Sequence, residues 1–172
     1  MNEVLKCIET RRSIKSFLPD MPKSADVDLV IKAGLEAASG RNMQAPIIIA
    51  IRNSDIRARL AEINGKMYGA ADPFYGAPVI LLVVAKKSAH TYVYDGSLVL
   101  GNMMLAAHSL GLGSCWIHRA KETFETKQWQ NWLTEIGITD EVEGIGHLAL
   151  GYAACEYPAE KPRREGRVIY VD

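Results

Sequence analysis

Two groups of basic residues stand far apart in the sequence and share a composition suited to binding an anion. The first is Arg11-Arg12-Ser13-Ile14-Lys15, and the second is Lys161-Pro162-Arg163-Arg164. An arginine presents a planar fork that matches phosphate oxygens, and a serine adds a hydroxyl donor. Taken alone, the first group is more often a solvated helix end whose cations are favoured by the helix dipole. The two groups become informative only if the fold brings them together.

A second candidate is the polar run Ser39-Gly40-Arg41-Asn42-Met43-Gln44, which directly precedes a predicted strand. It is either a helix C-terminus followed by turn residues or a ligand-binding loop. The glycine-rich turn Gly111–Trp116 lacks the GxGxxG spacing of a dinucleotide-binding turn. The sequence also contains no P-loop, HExxH, GxSxG or CxxC motif. We therefore exclude a Rossmann site and find no motif for a protein nucleophile.

The histidines and cysteines show no spacing typical of metal ligands or of a disulfide framework. The four histidines are His90, His108, His118 and His147. We interpret His108 and His147, which lie in apolar runs, as packed core or interface residues. No residue near Cys115 in the sequence would lower the pKa of its thiol, so we predict a small buried hydrophobic residue rather than a nucleophile.

Hydrophobic periodicity predicts the elements that must position these residues. The predicted helices cover Met1–Thr10, a segment starting at Pro22 and Ser24, Ser54–Met67, Asp95–Leu112 and Lys121–Ile136. The predicted strands cover Ile47–Ile51, Pro78–Ala85, Gly113–Ile117 and Ile145–Tyr152, and residues 167–171 have strand composition. Ser24 and Ser54 are the expected helix caps. The order of elements indicates an α+β protein in which helices flank one central sheet.

The composition limits the function further. The chain has 172 residues, 20 basic against 20 acidic side chains, and 48% hydrophobic residues. This predicts a single compact domain over residues 1–172 and gives no global reason to expect nucleic-acid binding. No apolar stretch has the length of a signal peptide or a membrane span, so we expect a soluble cytoplasmic protein. The Asp95–Leu112 helix is apolar on nearly every face, which predicts burial all round or a place in a subunit interface.

The order of several sequence pieces resembles the nitroreductase family. The pieces are IETRRSIKSF, AASGRNMQAP, APVILLVVA, DGSLVLGNMMLAAHSLGLGSCWI and GHLALGYA followed by KPRR. No single piece is specific, but five pieces in this order and spacing are, and they extend from Ile8 to Arg164. The resemblance implies a nitroreductase-like α+β sandwich with a mostly antiparallel sheet. It also implies a homodimer whose C-terminal strand is exchanged between subunits.

The resemblance also implies FMN as the cofactor and assigns residues to it. Arg11, Arg12 and Ser13 match the residues that hold the phosphate and ribityl chain, joined by Lys161 and Arg163. Lys15 matches the basic residue near N1 and O2 of the flavin, where a cation stabilises the negative charge left by reduction. The remaining matches are Ser39 and Gly40, which reach the flavin of the other subunit, the polar positions Asn42 and Gln44, and Trp116, Ile117 and His118 beside N5 and O4.

The implied reaction is ping-pong hydride transfer through flavin N5. NADH or NADPH is the donor, and a nitroaromatic, quinone or related small molecule is the acceptor. The alternatives are a flavin-binding module without efficient turnover and a family branch with other chemistry, such as enone reduction or dehalogenation. The chain departs from the family pattern at Ala38, where a proline is usual, and at Ala45-Pro46, where a tryptophan is usual. No second basic residue near the flavin pyrimidine ring can be matched in the Lys66–Gly76 loop.

Overall fold

The computed structural model describes residues 2–171 and contains six α-helices and four β-strands within that range. The helices are α1 (Glu3–Thr10), α2 (Ser24–Leu35), α3 (Ser54–Tyr68), α4 (Tyr92–Ser109), α5 (Ala120–Phe124) and α6 (Lys127–Glu135). The strands are β1 (Pro46–Ile51), β2 (Val79–Lys86), β3 (Gly113–Ile117) and β4 (Val142–Gly151), and one 3-10 turn covers Gly40–Asn42. None of the helices in this range combines the length and apolarity that a bilayer-spanning segment requires.

The four strands form one sheet in the order β1-β2-β4-β3, and every neighbouring pair is antiparallel. This confirms the predicted α+β class with a central antiparallel sheet. Strand β2 is buried along Val79–Ala85, because its uniformly apolar sequence packs against helices on both faces of the sheet. The register of β2 and β4 shifts between Val83 and Val84, so that Ile145 is an extra residue in β4.

The helices cover the sheet in two layers with separate apolar cores. Helices α2 and α4 pack on one face, where Val27, Leu100 and Met103 meet Leu81 and other residues of β2 and β4. Helices α3, α5 and α6 pack on the other face in the cluster that contains Leu60, Phe124 and Trp129. Helix α1 buries none of its residues and contacts α4. The outer strands of the sheet are β1 and β3, and the segments next to them carry the candidate site residues.

Several predicted boundaries need correction. Asn53, not Ser54, caps α3, because its side chain accepts the N–H groups of Asp55 and Ile56. Helix α2 begins at Ser24 itself, without a side-chain cap.

The predicted helix Lys121–Ile136 is two helices, α5 and α6, separated at Glu125-Thr126. Helix α4 starts at Tyr92 and ends at Ser109, and the chain then turns through Gly111 at φ 74°. Glycine adopts this left-handed conformation without steric cost.

The strand predicted in residues 167–171 does not form within this chain. The segment has no regular structure, and the side chains from Val168 to Val171 are 68–92% exposed. Four consecutive apolar residues in water have no local partner, so exchange of this segment between subunits stays a prediction.

His147 is a fully buried histidine on β4, as the apolar run around it predicts. Its ring packs against Phe74 and Phe124, with centroids 5.3 and 6.2 Å away. Polar backbone groups of Ile117 and His118 favour protonation, but neither ring nitrogen forms a hydrogen bond of good geometry. Burial lowers the pKa of His147 to about 4. The folded protein therefore keeps this ring neutral, whereas the unfolded chain protonates it at a pH of about 6.5.

The depressed pKa of His147 predicts an acid-sensitive fold. Below about pH 6.5 the unfolded state binds a proton at His147 that the folded state does not bind. The free energy of unfolding therefore decreases by about 3 kcal/mol as the pH is lowered from 6.5 to 4. Urea unfolding followed across this window measures the slope. His147→Leu should flatten it, whereas His90→Gln, which changes an exposed histidine, should leave it unchanged. An equal slope in wild type and His147→Leu would contradict this account.

Candidate functional site

The first basic group lies on an extended segment that runs beside β3. The N–H of Ile14 donates to the carbonyl of Ser114 at 3.0 Å. Ile14 is fully buried in the core, whereas Ser13 and Lys15 on either side of it are exposed. The alternation follows from extended backbone, in which successive side chains point to opposite faces. Burial of one isoleucine therefore directs its neighbours outward.

The same segment also pairs with the chain that leaves β4. The N–H of Leu18 donates to the carbonyl of Tyr152, and the N–H of Ala154 donates to the carbonyl of Ser16, both at 2.9 Å. These two bonds tie the start of the C-terminal segment to the N-terminal segment. The second basic group follows only a few residues later.

The two basic groups line one cavity of about 420 Å³. Its charged and hydroxyl side chains belong to Arg11, Arg12, Ser13, Lys15, Lys161 and Arg163. Pro158 and Ala159 complete the lining. The structure thus brings together the two groups that the sequence left 150 residues apart, counted from Arg11 to Lys161.

The electrostatics of this basic cavity favour an anion. Arg11 and Arg12 are half-buried. Arg12 is held by the backbone carbonyls of Glu9 and Arg11 and by an ion pair with Glu160 at 3.8 Å. The terminal nitrogen Nη1 of Arg11 is buried and has no hydrogen-bond partner among residues 2–171. A buried donor left unpaired is costly, which indicates a missing acceptor at this position.

His108 lies close enough to Arg11 and Arg12 for their positive charges to affect its ring. Its Nε2 lies 2.8 Å from the hydroxyl of Thr10, and its ring packs against Tyr157. Burial lowers the pKa of His108, and the positive charges of Arg11 and Arg12 lower it further. His108 is half-buried and so lies at the margin of the core rather than inside it.

Trp116, Ile117 and His118 line a second, smaller cavity of about 180 Å³. The buried side chain of Asn64 donates to the carbonyl of His118 at 2.9 Å and so fixes the end of β3. Tyr75 joins the two cavities, because its ring lines the smaller one and lies 5.9 Å from the Nζ of Lys15.

Sequence reasoning did not name five residues of the smaller cavity: Asn64, Tyr68, Pro73, Tyr75 and Arg119. Tyr68, Pro73 and Tyr75 all lie in the Lys66–Gly76 loop, where the sequence placed substrate recognition without choosing individual residues. Arg119 directly follows the Trp116–His118 segment that the resemblance assigned to the flavin, and this position could have marked it as a site residue. Asn64 is one polar residue on a helix face, and nothing in the sequence marked it.

Ser39, Gly40, Asn42 and Gln44 lie at the opposite edge of the sheet, before β1. Three strand spacings separate β1 from β3, which is about 14 Å. Within one chain the structure therefore does not bring these four residues to the basic cavity. Ser39 and Gln44 instead border a cavity of about 210 Å³ beside α2 and α4.

The Ser39–Gln44 loop is strained and anchored. Arg41, Asn42 and Gln44 have φ values of 53°, 54° and 48°, a region that costs non-glycine residues about 1 kcal/mol or more each. The buried carboxylate of Asp95 accepts the N–H of Gly40 at 3.1 Å and the hydroxyl of Thr91 at 2.9 Å. Asp95 therefore positions this loop, a role that the sequence analysis did not predict. Strain of this kind concentrates at functional sites.

Cys115 is buried beneath the basic segment. Burial raises the pKa of its thiol, although Lys15 and Arg11 act in the opposite direction. It is therefore a small core residue, as predicted, and not an activated nucleophile.

Comparison with known proteins identifies relatives over nearly the whole chain. The model of the family described as "Nitroreductase family" matches residues 8–68 and 64–152. A protein of Methanothermobacter thermautotrophicus named "Putative NADH dehydrogenase/NAD(P)H nitroreductase" is 31% identical over 172 residues, covering 93% of this chain and 80% of the relative. A protein of Bacillus subtilis named "FMN reductase (NADPH)" is 25% identical over 189 residues, covering 99% and 73%.

A solved structure shares the architecture as well. The crystal structure of a nitroreductase with bound FMN from Bacteroides fragilis superposes with a TM-score of 0.89 at 26% identity. The match covers 100% of both chains. The elements that hold the basic cavity and the smaller cavity therefore belong to a shared architecture.

Proposed function

The chain belongs to the nitroreductase family, and on that premise we propose that it reduces nitroaromatic, quinone or related small electron acceptors with electrons from NADH or NADPH. It is an FMN-dependent oxidoreductase by its family and its relatives. The observation that carries the proposal is the basic cavity, in which both basic groups meet around an unpaired arginine donor. The acceptors and the ping-pong order are part of the proposal.

The basic cavity fits the phosphate of FMN. The Nη1 of Arg11 has no acceptor in the described part of the chain, and a phosphate oxygen would supply one. Ser13 adds a hydroxyl, and Lys161 and Arg163 add charge from the other side. Charge-assisted hydrogen bonds to a dianion are the strongest that these side chains can make. We assign phosphate and ribityl binding to these residues and to Arg12.

Lys15 lines the basic cavity on the side of Tyr75, a residue of the smaller cavity. Its Nζ near Tyr75 would place a cation at the pyrimidine side of the flavin, where it favours the reduced form. The Trp116–His118 segment, fixed by the Asn64 hydrogen bond, would present rigid backbone to the ring edge. FMN, when bound, supplies an N5 atom that accepts a hydride from the nicotinamide and returns it to the acceptor. The protein itself then needs only to bind and orient the flavin and the substrates and to exclude water from the site.

We also propose that the complete site requires a second copy of the chain. Ser39, Gly40, Asn42 and Gln44 lie at the far edge of the sheet, so they can reach a flavin only in a partner's basic cavity. Apolar side chains are exposed on two helices that would form the interface. They are Val4 at 65%, Leu5 at 49% and Ile8 at 50% on α1, and Tyr94 at 72% and Leu98 at 51% on α4.

The purified protein loaded with FMN tests the function directly. We expect its yellow colour to bleach when NADH or NADPH is added without oxygen, and to return when a nitroaromatic or quinone is added. Absorbance followed by stopped flow measures both steps. Binding of FMN without bleaching by either nicotinamide would favour a flavin-binding module. Bleaching followed by recovery only with an enone or a halogenated substrate would favour another family branch.

Removing Arg11 should weaken the phosphate site selectively. A charge-assisted hydrogen bond is worth about 1.5–3 kcal/mol, so Arg11→Ala should weaken FMN binding by about ten- to a hundredfold. Quenching of flavin fluorescence on titration measures the Kd. Arg52→Ala is the matched control, because Arg52 is exposed and pairs with Asp28 at 3.8 Å. Parental affinity in Arg11→Ala would overturn the phosphate assignment.

Deleting residues 167–172 should weaken dimerisation and FMN retention together. An exchanged edge strand would supply main-chain hydrogen bonds to the partner and fix Lys161 and Arg163 beside the phosphate. Sedimentation velocity and the flavin-to-protein absorbance ratio measure the two effects. A truncated protein that stays dimeric and fully loaded would show that the tail has no such role. A wild-type protein that is a stable folded monomer at micromolar concentration would contradict the proposal that two chains share each site.

A further inference from the structure

The smaller cavity has a wall chemistry that the flavin alone does not explain. Its lining includes the aromatic residues Tyr68, Tyr75 and Trp116, the polar residue Asn64 and the cationic residue Arg119. No acidic residue belongs to its lining among the described residues. Its volume of about 180 Å³ is below the range of about 300–1,000 Å³ that drug-sized ligands need. A ligand of this size has about one aromatic ring.

Arg119 carries a charge that no carboxylate among residues 2–171 neutralises. Its guanidinium lies over the ring of Tyr68 at 5.4 Å from the centroid. It is half-buried, and no carboxylate in residues 2–171 lies within 4.0 Å of it. Arg57, also half-buried and stacked on an aromatic ring, does have a carboxylate partner in Asp72. A half-buried arginine without an anion indicates that the anion comes from outside the chain.

The backbone directs this side chain at some cost. Arg119 has φ 72° and ψ 20°, a left-handed conformation that is unusual for a residue with a side chain. The preceding carbonyl of His118 is held by the buried Asn64. Glycine would adopt the same conformation without strain. An arginine at position 119 therefore keeps a strained backbone that a glycine would not have.

We propose that Arg119 determines substrate specificity by binding a carboxylate on a single aromatic ring, so that the enzyme prefers aromatic acids among its acceptors. The tyrosine rings and Trp116 supply apolar walls for the ring of the substrate. Arg119 supplies the planar fork that a carboxylate accepts bidentately. The proposal rests on the proposed function, because it places the acceptor beside the Trp116–His118 segment.

Binding to the oxidised holoprotein tests the proposal without turnover. Benzoate and benzamide are matched in ring and size and differ in charge. Changes in the visible spectrum of the bound flavin, or calorimetry, give the two Kd values. In wild type we expect benzoate to bind about tenfold more tightly than benzamide, as one charge-assisted contact implies. Arg119→Gln should bring the ratio close to one, and Arg119→Lys should restore part of it.

Turnover gives a second, independent readout. The ratio of kcat/KM for 4-nitrobenzoate to that for 4-nitrobenzamide should fall about tenfold in Arg119→Gln, mainly through KM. The rate of flavin bleaching by NADH or NADPH, measured in the same variant, separates a loss of acceptor binding from a slower reduction by the nicotinamide. Arg59→Gln is the matched control, because Arg59 stacks on Trp129 at 5.3 Å but belongs to no wall of this cavity. Arg119→Gly should fold at least as stably as wild type, which separates loss of binding from loss of structure.

Each alternative result has a distinct meaning. Equal binding of benzoate and benzamide to wild type would overturn the proposal. So would an Arg119→Gln variant that keeps the parental preference, or one whose only defect is slower bleaching by the nicotinamide. Failure of wild type to bleach with either nicotinamide would instead overturn the proposed function. The binding measurement on the oxidised protein would still decide the role of Arg119.

Discussion

The pairing of the segment around Ile14 with β3 and with the end of β4 determines where the cations of the basic cavity lie. One backbone bond, from the Ile14 N–H to the Ser114 carbonyl at 3.0 Å, places an isoleucine in the core. Two further bonds, between residues 16–18 and 152–154, attach the C-terminal segment to it. The cations must then face one another across a cavity, although mutual repulsion opposes this arrangement. Apolar burial of Ile14 and Phe17 supplies the free energy that holds them there.

The same constraint explains why the basic cavity needs an anion. Cations that are partly removed from water and kept close together raise each other's free energy. The pKa of His108 is lowered mainly by burial, and the charges of Arg11 and Arg12 lower it further. Glu160 offsets part of that charge through its ion pair with Arg12, but its side chain is 69% exposed. An exposed ion pair is weak. A bound dianion would relieve the remaining repulsion, so cofactor binding and local stability should be coupled.

The candidate site residues lie at two opposite edges of the sheet. The β3 edge carries the cations of the basic cavity and the residues of the smaller cavity. The β1 edge carries the Ser39–Gln44 loop, held in a strained conformation by Asp95. No rearrangement of one compact chain would bring these edges together, because β2 and β4 lie between them and are buried. In the proposed dimer, a second chain with the same two edges would complete both sites at once, since a two-fold axis repeats each contact.

The sequence by itself determined the class of fold, most of the helices and strands, and both basic groups, because these depend on local periodicity and on residue type. It also indicated that His147 and Cys115 are packed residues, since the runs around them are apolar. Tertiary structure alone decided that the two basic groups converge, that Asn64 holds the His118 carbonyl, and that Arg119 stacks on Tyr68. These contacts join residues more than 50 positions apart in the chain. No local pattern encodes them, because they arise only when the sheet brings distant segments to one edge.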